Sequence, residues 1–209
     1  MVAGSCHDLN GRSSALFGLA ELARAGEDPD FMAGALNSEA KRLQDVALSL
    51  RILFGRSNNS PEILALSDRL GPVVSLFSVQ PGAELLAVEL ATDPDAPAVR
   101  APWRCLSRAV LLTMSVVAAN VLAAGSRGTV RIAYMGDDHG PFLEIDGYPI
   151  EPGAPDPAAD DLITAFQEWP PELTQAIQGF GGSCSFSANV QNEKGAGPRA
   201  EVRLPGSSA

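Results

Sequence analysis

The first quarter of the chain carries apolar residues at helical spacing. Over residues 1–25 they recur at alternating steps of four and three, the heptad seam of helices that pack in bundles. The seam consists of Val2, Cys6, Leu9, Ser13, Leu16, Ala20 and Ala23. A second stripe over residues 30–55 consists of Met32, Leu36, Leu43, Val46, Leu50 and Leu53. Both patterns predict long amphipathic helices.

The residues between the two stripes carry a helix stop and a helix start. Gly26 suits a C-terminal cap, and Asp28 or Asp30 can cap the next helix. Two long helices joined by so short a turn predict an antiparallel hairpin. Because one hairpin buries only one seam, we expect a homodimer that completes a four-helix bundle.

A polar break at Gly55–Pro61 predicts a boundary between a domain of residues 1–57 and one of residues 58–209. In the second domain, helices are expected at 62–78, 103–124 and 162–179, the last interrupted at Pro170-Pro171. Strands are expected at 85–90, 129–134, 142–145, 183–190 and 198–204, with a turn at Gly125–Gly128 and loops at 93–102 and 149–161. The predicted class is α+β, with a helical layer on one face of a sheet in this domain.

The composition argues against several classes of partner and location. The net charge of −10 argues against nucleic acid and anionic membranes as partners, since both attract basic surfaces. The three cysteines, Cys6, Cys105 and Cys184, have neither disulfide-framework nor zinc-site spacing and fit a reducing cytoplasm. The apolar run Ala109–Ala124 is short for a membrane span. We therefore expect a cytoplasmic protein.

The residues around His7 are the strongest candidates for a reactive site. If Cys6 and Leu9 lie on the seam, the His7 imidazole faces solvent, where a neutral nitrogen can accept a phosphoryl group. Asp8 can orient the ring or accept its proton. Arg12 is a candidate to neutralise transferring oxygens. Gly11 lies one turn beyond His7 and, with Gly18, leaves a bare helical face for a partner.

Simpler interpretations of these residues exist. A single histidine on an amphipathic helix is usually a surface residue, and the adjacent aspartate, the glycine and the dimerising hairpin favour function here. Cys6 is interpreted as a small seam residue rather than a thiol nucleophile. His139 and the acidic pairs Asp137-Asp138 and Asp160-Asp161 are interpreted as solvated loop residues.

The segment His7-Asp8-Leu9-Asn10 resembles the H-box of sensor histidine kinases, and His7 to Gly11 is similar to the His-x-Leu-Lys-Gly of monodomain phosphotransfer proteins. Val110–Ile132 resembles the N-box helix and following strand of the kinase ATP-binding domain. Gly181-Gly182 to Pro205 resembles that domain's closing strands. These resemblances imply a phosphoryl-accepting His7 and a docking surface that includes Asn10, Gly11, Ser14 and Gly18.

The nucleotide-binding motifs depart from that pattern. Asn120 has Val116 one turn before it, where an N-box carries a second polar residue. The Asp-x-Gly-x-Gly box reads Asp146-Gly147-Tyr148-Pro149-Ile150, and the sequence has no later Gly-x-Gly-x-Gly lid to cradle phosphates. The combination resembles the ChpT-type histidine phosphotransferases, whose degenerate kinase-like domain helps to dock partners.

The resemblance implies a phosphorelay role. The chain would accept a phosphoryl group from the receiver aspartate of a hybrid histidine kinase and pass it to a response regulator. It would need no cofactor of its own, and Mg²⁺ would be bound by the receiver. Gly11, where many kinases have the Thr or Asn that aligns water, fits a carrier rather than a phosphatase. The alternatives are a sensor kinase fragment with a divergent ATP site and a non-catalytic dimeric adaptor.

Overall fold

A computed structural model describes residues 2–54, 60–80, 82–192 and 195–207. The side chains of residues 2–10, 12, 42, 45, 46, 48–54, 152 and 192 lie outside the described residues. The chain divides into two compact units, residues 1–55 and residues 56–209.

The first unit consists of two helices, α1 (Val2–Arg24) and α2 (Pro29–Phe54). Gly26 adopts a left-handed conformation with φ of 84°, which favours glycine because it has no Cβ. The amide of Gly26 donates to the Ala23 carbonyl and that of Glu27 to the Leu22 carbonyl, the paired bonds of a Schellman ending. The Asp28 carboxylate accepts from the Asp30 amide at 3.1 Å. The residues that the sequence predicts to end one helix and to begin the next therefore form the turn between α1 and α2.

The contact between α1 and α2 lies beside the stripe that the heptad seam predicts. A shallow concavity between the helices is lined by Ala15, Gly18, Leu19 and Leu22 from α1 and Ala35, Ser38 and Glu39 from α2. On the predicted seam, Leu16 is half-buried, and Ser13, Ala20 and Ala23 are exposed. Among the described side chains of α1, all except those of Leu16 and Leu19 are exposed.

The second unit begins with β1 (Glu62–Leu64), a 3₁₀ turn at Leu66–Asp68 and α3 (Leu70–Phe77). Strands β2 (Leu86–Thr92) and β3 (Val99–Ala101) precede α4 (Trp103–Ala123). The hairpin of β4 (Gly125–Asp137) and β5 (Gly140–Pro152) follows. The remaining elements are α5 (Asp160–Phe166), α6 (Pro171–Gly179), β6 (Ser183–Asn192) and β7 (Gly195–Arg203).

Five of these strands form a mixed sheet in the order β2-β4-β5-β7-β6. β2 runs parallel to β4, and the other neighbours are antiparallel. Strands β1 and β3 form a separate antiparallel pair. α4 packs on β4, β5 and β7 and is flanked by α3, α5 and α6. The unit is thus a two-layer α/β sandwich.

Glycines let α4 approach the sheet closely. A Cβ at Gly147 would lie 2.9 Å from Val117 Cγ1 and would clash with Val121, and a Cβ at Gly128 would also clash with Val121. α4 is long and apolar enough to cross a membrane by length and composition, but 78% of its most apolar window is buried inside the protein. It is the core helix of this unit.

Four predictions of local structure were wrong, among them the loop at 93–102, which contains β3 (Val99–Ala101). Residues 62–78 are not one helix, because Glu62–Leu64 pairs with Val99–Ala101, a partner distant in sequence. The segment Gly125–Gly128 is not a turn but the start of β4, irregularly paired with the end of β5. For the same reason, the loop expected from residue 149 begins only after Pro152.

Candidate functional site

Four predicted site residues fall on one face of α1. His7, Gly11, Ser14 and Gly18 are separated by steps of four, three and four, which place them in a row along one side of a helix. Gly11, Ser14 and Gly18 are all exposed. The backbone of His7 belongs to α1, but its side chain, like those of Asp8, Asn10 and Arg12, lies outside the described residues.

The glycines on this face leave open space around the helix. A Cβ added at Gly11 or Gly18 would meet nothing within 4 Å, so packing within the chain does not require glycine there. Gly18 also borders the concavity between α1 and α2. The row therefore combines an unobstructed helical surface with a histidine at its N-terminal end.

Asp146, the aspartate at the position of the Asp-x-Gly-x-Gly box, faces away from the helical layer. Side chains alternate between the faces of a strand, and the neighbouring Gly147 backs onto Val117 and Val121 of α4. Asp146 therefore points to the opposite face, where Arg199 Nη2 lies 3.7 Å from its Oδ2. It is only 5% exposed, and its carboxylate is neutralised from within the chain.

Asn120, the remaining polar residue of the N-box-like helix, also makes internal hydrogen bonds. Its Nδ2 donates to the carbonyls of Val116 at 2.9 Å and Gln167 at 3.0 Å. Gln167 is the C-cap residue that directly follows α5. The side-chain amide thus fastens α5 to α4, and its donor group is not directed at a ligand.

These contacts do not fit a nucleotide. Asn120 belongs to the helical layer and Asp146 to the other face of the sheet, so the two cannot hold one ligand together. Pro149 lies within the strand ladder, opposite Gly128. Between β5 and β6, where the kinase-like pattern would have its phosphate-binding lid, the chain forms α5 and α6.

In the turn between β4 and β5, Asp137, Asp138 and His139 are exposed, as the sequence predicts, but Asp137 is also held by partners within the chain. Asp137 accepts two hydrogen bonds from Arg203, at 3.1 and 3.0 Å, and one from the His139 amide at 2.8 Å. The hydrogen bond from Arg203 holds the pKa of Asp137 below its usual value. Asp160 and Asp161 lie in the first turn of α5, where negative charge is favourable.

The described residues contain no group of three or more His, Cys, Asp or Glu side chains that could hold a metal ion. The expectation that Mg²⁺ would be bound by a partner remains a prediction.

Sequence reasoning missed Arg199. Its Nη1 lies 3.4 Å from Glu144 Oε2 in addition to the contact with Asp146. The alternation of Arg199, Glu201 and Arg203 along β7 is a signal for a charged outer face. That signal becomes specific only once β7 is known to pair with β5, placing Arg199 opposite Asp146.

No family model matches the chain. No curated protein matches it either. Among solved structures, a bacterial phosphotransferase superposes with a TM-score of 0.55 at 14% identity, covering 97% of this chain and 93% of that chain. The Acinetobacter baumannii histidine kinase AdeS gives a TM-score of 0.47 at 14% identity, covering 96% and 98%. The mycobacterial sensor histidine kinase MprB gives 0.46 at 15% identity, covering 71% and 98%. The chain therefore has the fold of the phosphotransferase, and its activity must be argued from its residues.

Proposed function

We propose that this protein is a histidine phosphotransferase of a multistep phosphorelay. His7 accepts a phosphoryl group from a receiver-domain aspartate and passes it to a response regulator. The observation that supports the proposal is that, in a chain with a phosphotransferase fold, the polar residues of the nucleotide-binding pattern have partners within the chain. Asn120 is bonded to Gln167, and Asp146 is paired with Arg199 on the other face of the sheet.

The row on α1 supports the proposal. A donor aspartyl phosphate must approach the imidazole in line, and bulky neighbours one turn away would obstruct that approach. Gly11 follows His7 by one turn, and it is exposed. Asn10, Ser14 and Gly18 would extend the docking surface along α1.

The proposed chemistry is transfer between an oxygen and a nitrogen. A neutral imidazole nitrogen of His7 attacks phosphorus, the P–N bond forms, and the P–O bond to the receiver aspartate breaks, regenerating its carboxylate. Asp8 would orient the ring and hold the imidazole proton, and Arg12 would neutralise the transferring oxygens. Onward transfer reverses the step at a second receiver. Mg²⁺ bound by the receiver would offset phosphoryl charge.

Incubation with a phosphorylated receiver domain tests the proposal. The chain should become labelled, and His7→Ala should abolish the label. The chain has only two histidines, so His139→Ala is a matched control that should keep full labelling. Persistent labelling of His7→Ala would refute the assignment of His7.

The two alternatives make different predictions. A sensor kinase fragment would bind ATP and label itself from it, without a phosphorylated receiver. A dimeric adaptor would bind its partners equally well with His7→Ala and carry no phosphoryl group.

A further inference from the structure

The helical layer of the second unit contains a cavity that the proposed phosphoryl transfer does not use. It has a volume of about 720 Å³ and lies between the first half of α4 and the segment formed by α5 and α6. This size is in the range of small-molecule sites, roughly 300–1,000 Å³. The cavity opens to solvent beside Ala165, Glu172 and Ala176, which are exposed.

Small residues leave the space between the helices open. Ala109 of α4 and Ala165, Ala176 and Gly179 of the facing segment line the cavity, where larger side chains would fill it. A Cβ at Gly179 would meet nothing within 4 Å. Ala109 is 1% exposed and belongs to the buried floor.

Contacts outside the cavity fix the position of its walls. The bond from Asn120 to the Gln167 carbonyl fixes the end of α5. Trp169 Nε1 donates to Thr174 Oγ1 at 2.9 Å, and the Trp169 ring stacks on Phe186 at 5.3 Å between centroids. The cavity is therefore formed before any ligand arrives, which lowers the entropic cost of binding.

The walls of the cavity are mainly apolar. Leu112 of α4 and Leu173 of α6 line it, and Phe166 and Phe180 supply aromatic rings. The two phenylalanines and Leu112 are half-buried, so part of their apolar surface remains in contact with water. An apolar ligand would remove this surface from water, which favours binding.

The charged residues of the wall do not select an ion. Among the described residues that line the cavity, the charged ones are Arg108 and Glu172, whose charges are opposite. Arg108 already has an interaction of its own, and Glu172 is exposed, where water screens its charge. A charged ligand would therefore lose hydration without gaining an unengaged counter-ion among these residues, whereas an uncharged ligand has no such cost.

We propose that this cavity binds a small uncharged aromatic molecule. The ligand lies between α4 and α6 against Leu112 and Leu173, and the rings of Phe166 and Phe180 pack on it. The site is independent of phosphoryl transfer at His7. Its occupation stabilises the second unit, because a ligand that binds only the folded state raises the unfolding midpoint.

N-phenylnaphthylamine is a suitable probe, because it is uncharged and its fluorescence rises in apolar surroundings. Anilinonaphthalene sulfonate has the same ring system with an added sulfonate and is its charged counterpart. Titration of the full chain should show saturable binding of one N-phenylnaphthylamine per chain. The sulfonate should bind at least about tenfold more weakly, since its charge must be desolvated without a partner reserved for it.

Alkylation of Cys105 reports whether the probe occupies this cavity. Cys105 is half-buried and lines the cavity, whereas Cys184 is half-buried and does not line it. In the double variant Cys6→Ser/Cys184→Ser the remaining thiol is that of Cys105, and the probe should slow its alkylation. In Cys6→Ser/Cys105→Ser the probe should leave the alkylation of Cys184 unchanged.

Two leucine variants complete the test. Ala176→Leu fills the cavity and should weaken N-phenylnaphthylamine binding at least about tenfold. Gln178→Leu adds the same side chain to α6 at an exposed position that does not line the cavity, and it should bind normally. Tryptophan fluorescence without the probe checks that both variants are folded. The proposal is overturned if the natural chain does not bind the probe, if Ala176→Leu binds it normally, if the sulfonate binds as tightly, or if the probe protects both thiols equally.

Discussion

The carboxylate of Asp146 has a cationic partner, Arg199, that the sequence pattern did not reveal. Arg199 contacts both Glu144 and Asp146, so its removal leaves two neighbouring acids without their shared cation. We expect Arg199→Met to lower the free energy of unfolding by about 2 kcal/mol, since the buried Asp146 keeps a poorly solvated charge. Urea denaturation measures the loss. Asp146→Asn added to this variant should recover part of it, and a double variant no more stable than Arg199→Met would contradict the pairing.

Substitution of Gly11 should change the stability of α1 and the rate of phosphoryl transfer in opposite directions. Because a Cβ there meets nothing within 4 Å, Gly11→Ala should stabilise α1 by up to about 1 kcal/mol. Under the proposed function, the same methyl group obstructs the receiver, so phosphoryl transfer should slow. Gly34→Ala, in α2 and equally unobstructed, is the control that should gain stability without losing transfer. Equal transfer rates for both variants would exclude Gly11 from the docking surface.

Asp137 makes the free energy of unfolding depend on pH in the acid range. Its pKa is lowered in the folded state by the hydrogen bond from Arg203, so the folded state favours the charged carboxylate. The stabilisation is present above the ordinary pKa of a carboxyl and is lost as pH falls through the lower, folded-state pKa. Asp137→Asn should therefore destabilise the chain at neutral pH and have progressively less effect in strong acid. Thermal melts across pH measure this difference, and an effect independent of pH would contradict it.

At the scale of elements, long periodic or strongly apolar segments were predictable. The helix expected at 103–124 is α4, and the break at Pro170-Pro171 separates α5 from α6. β1 and the start of β4 were missed because their pairing partners are distant in sequence or joined irregularly. For the candidate site, spacing alone aligned His7, Gly11, Ser14 and Gly18. The direction of Asp146 required knowing that Gly147 packs against α4.

The close packing of α4 on the sheet gives a test of Gly147. A Cβ at this position would lie 2.9 Å from Val117 Cγ1 and collide with Val121, so Gly147→Ala should cost about 2 kcal/mol of stability. Val121→Ala in the same chain should remove part of the clash, giving a favourable coupling between the two substitutions. Gly71→Ala in α3, where a Cβ meets nothing within 4 Å, should not destabilise. Additive effects of the first two would contradict direct contact.

At the scale of the whole molecule, the two helices of the first unit leave large apolar side chains exposed. Phe17 is 76% exposed and Phe31 56% exposed, although both belong to helices that already pack on each other. We interpret these side chains as parts of an apolar interaction surface, since large exposed apolar patches mark such surfaces. A second hairpin would cover them in the four-helix bundle that we expect from the sequence.

Phe17→Lys tests this homodimer. A lysine at the proposed interface would place a charge among apolar side chains, so the variant should sediment as a monomer at concentrations where the natural chain is dimeric. Ile63→Lys makes a similar change at a 68% exposed residue of the second unit and should leave the dimer intact. Both tryptophans, Trp103 and Trp169, lie in the second unit, so an unchanged fluorescence melt shows that this unit stays folded. A natural chain that is monomeric throughout, or a Phe17→Lys variant that still dimerises, would contradict the proposed role of this surface.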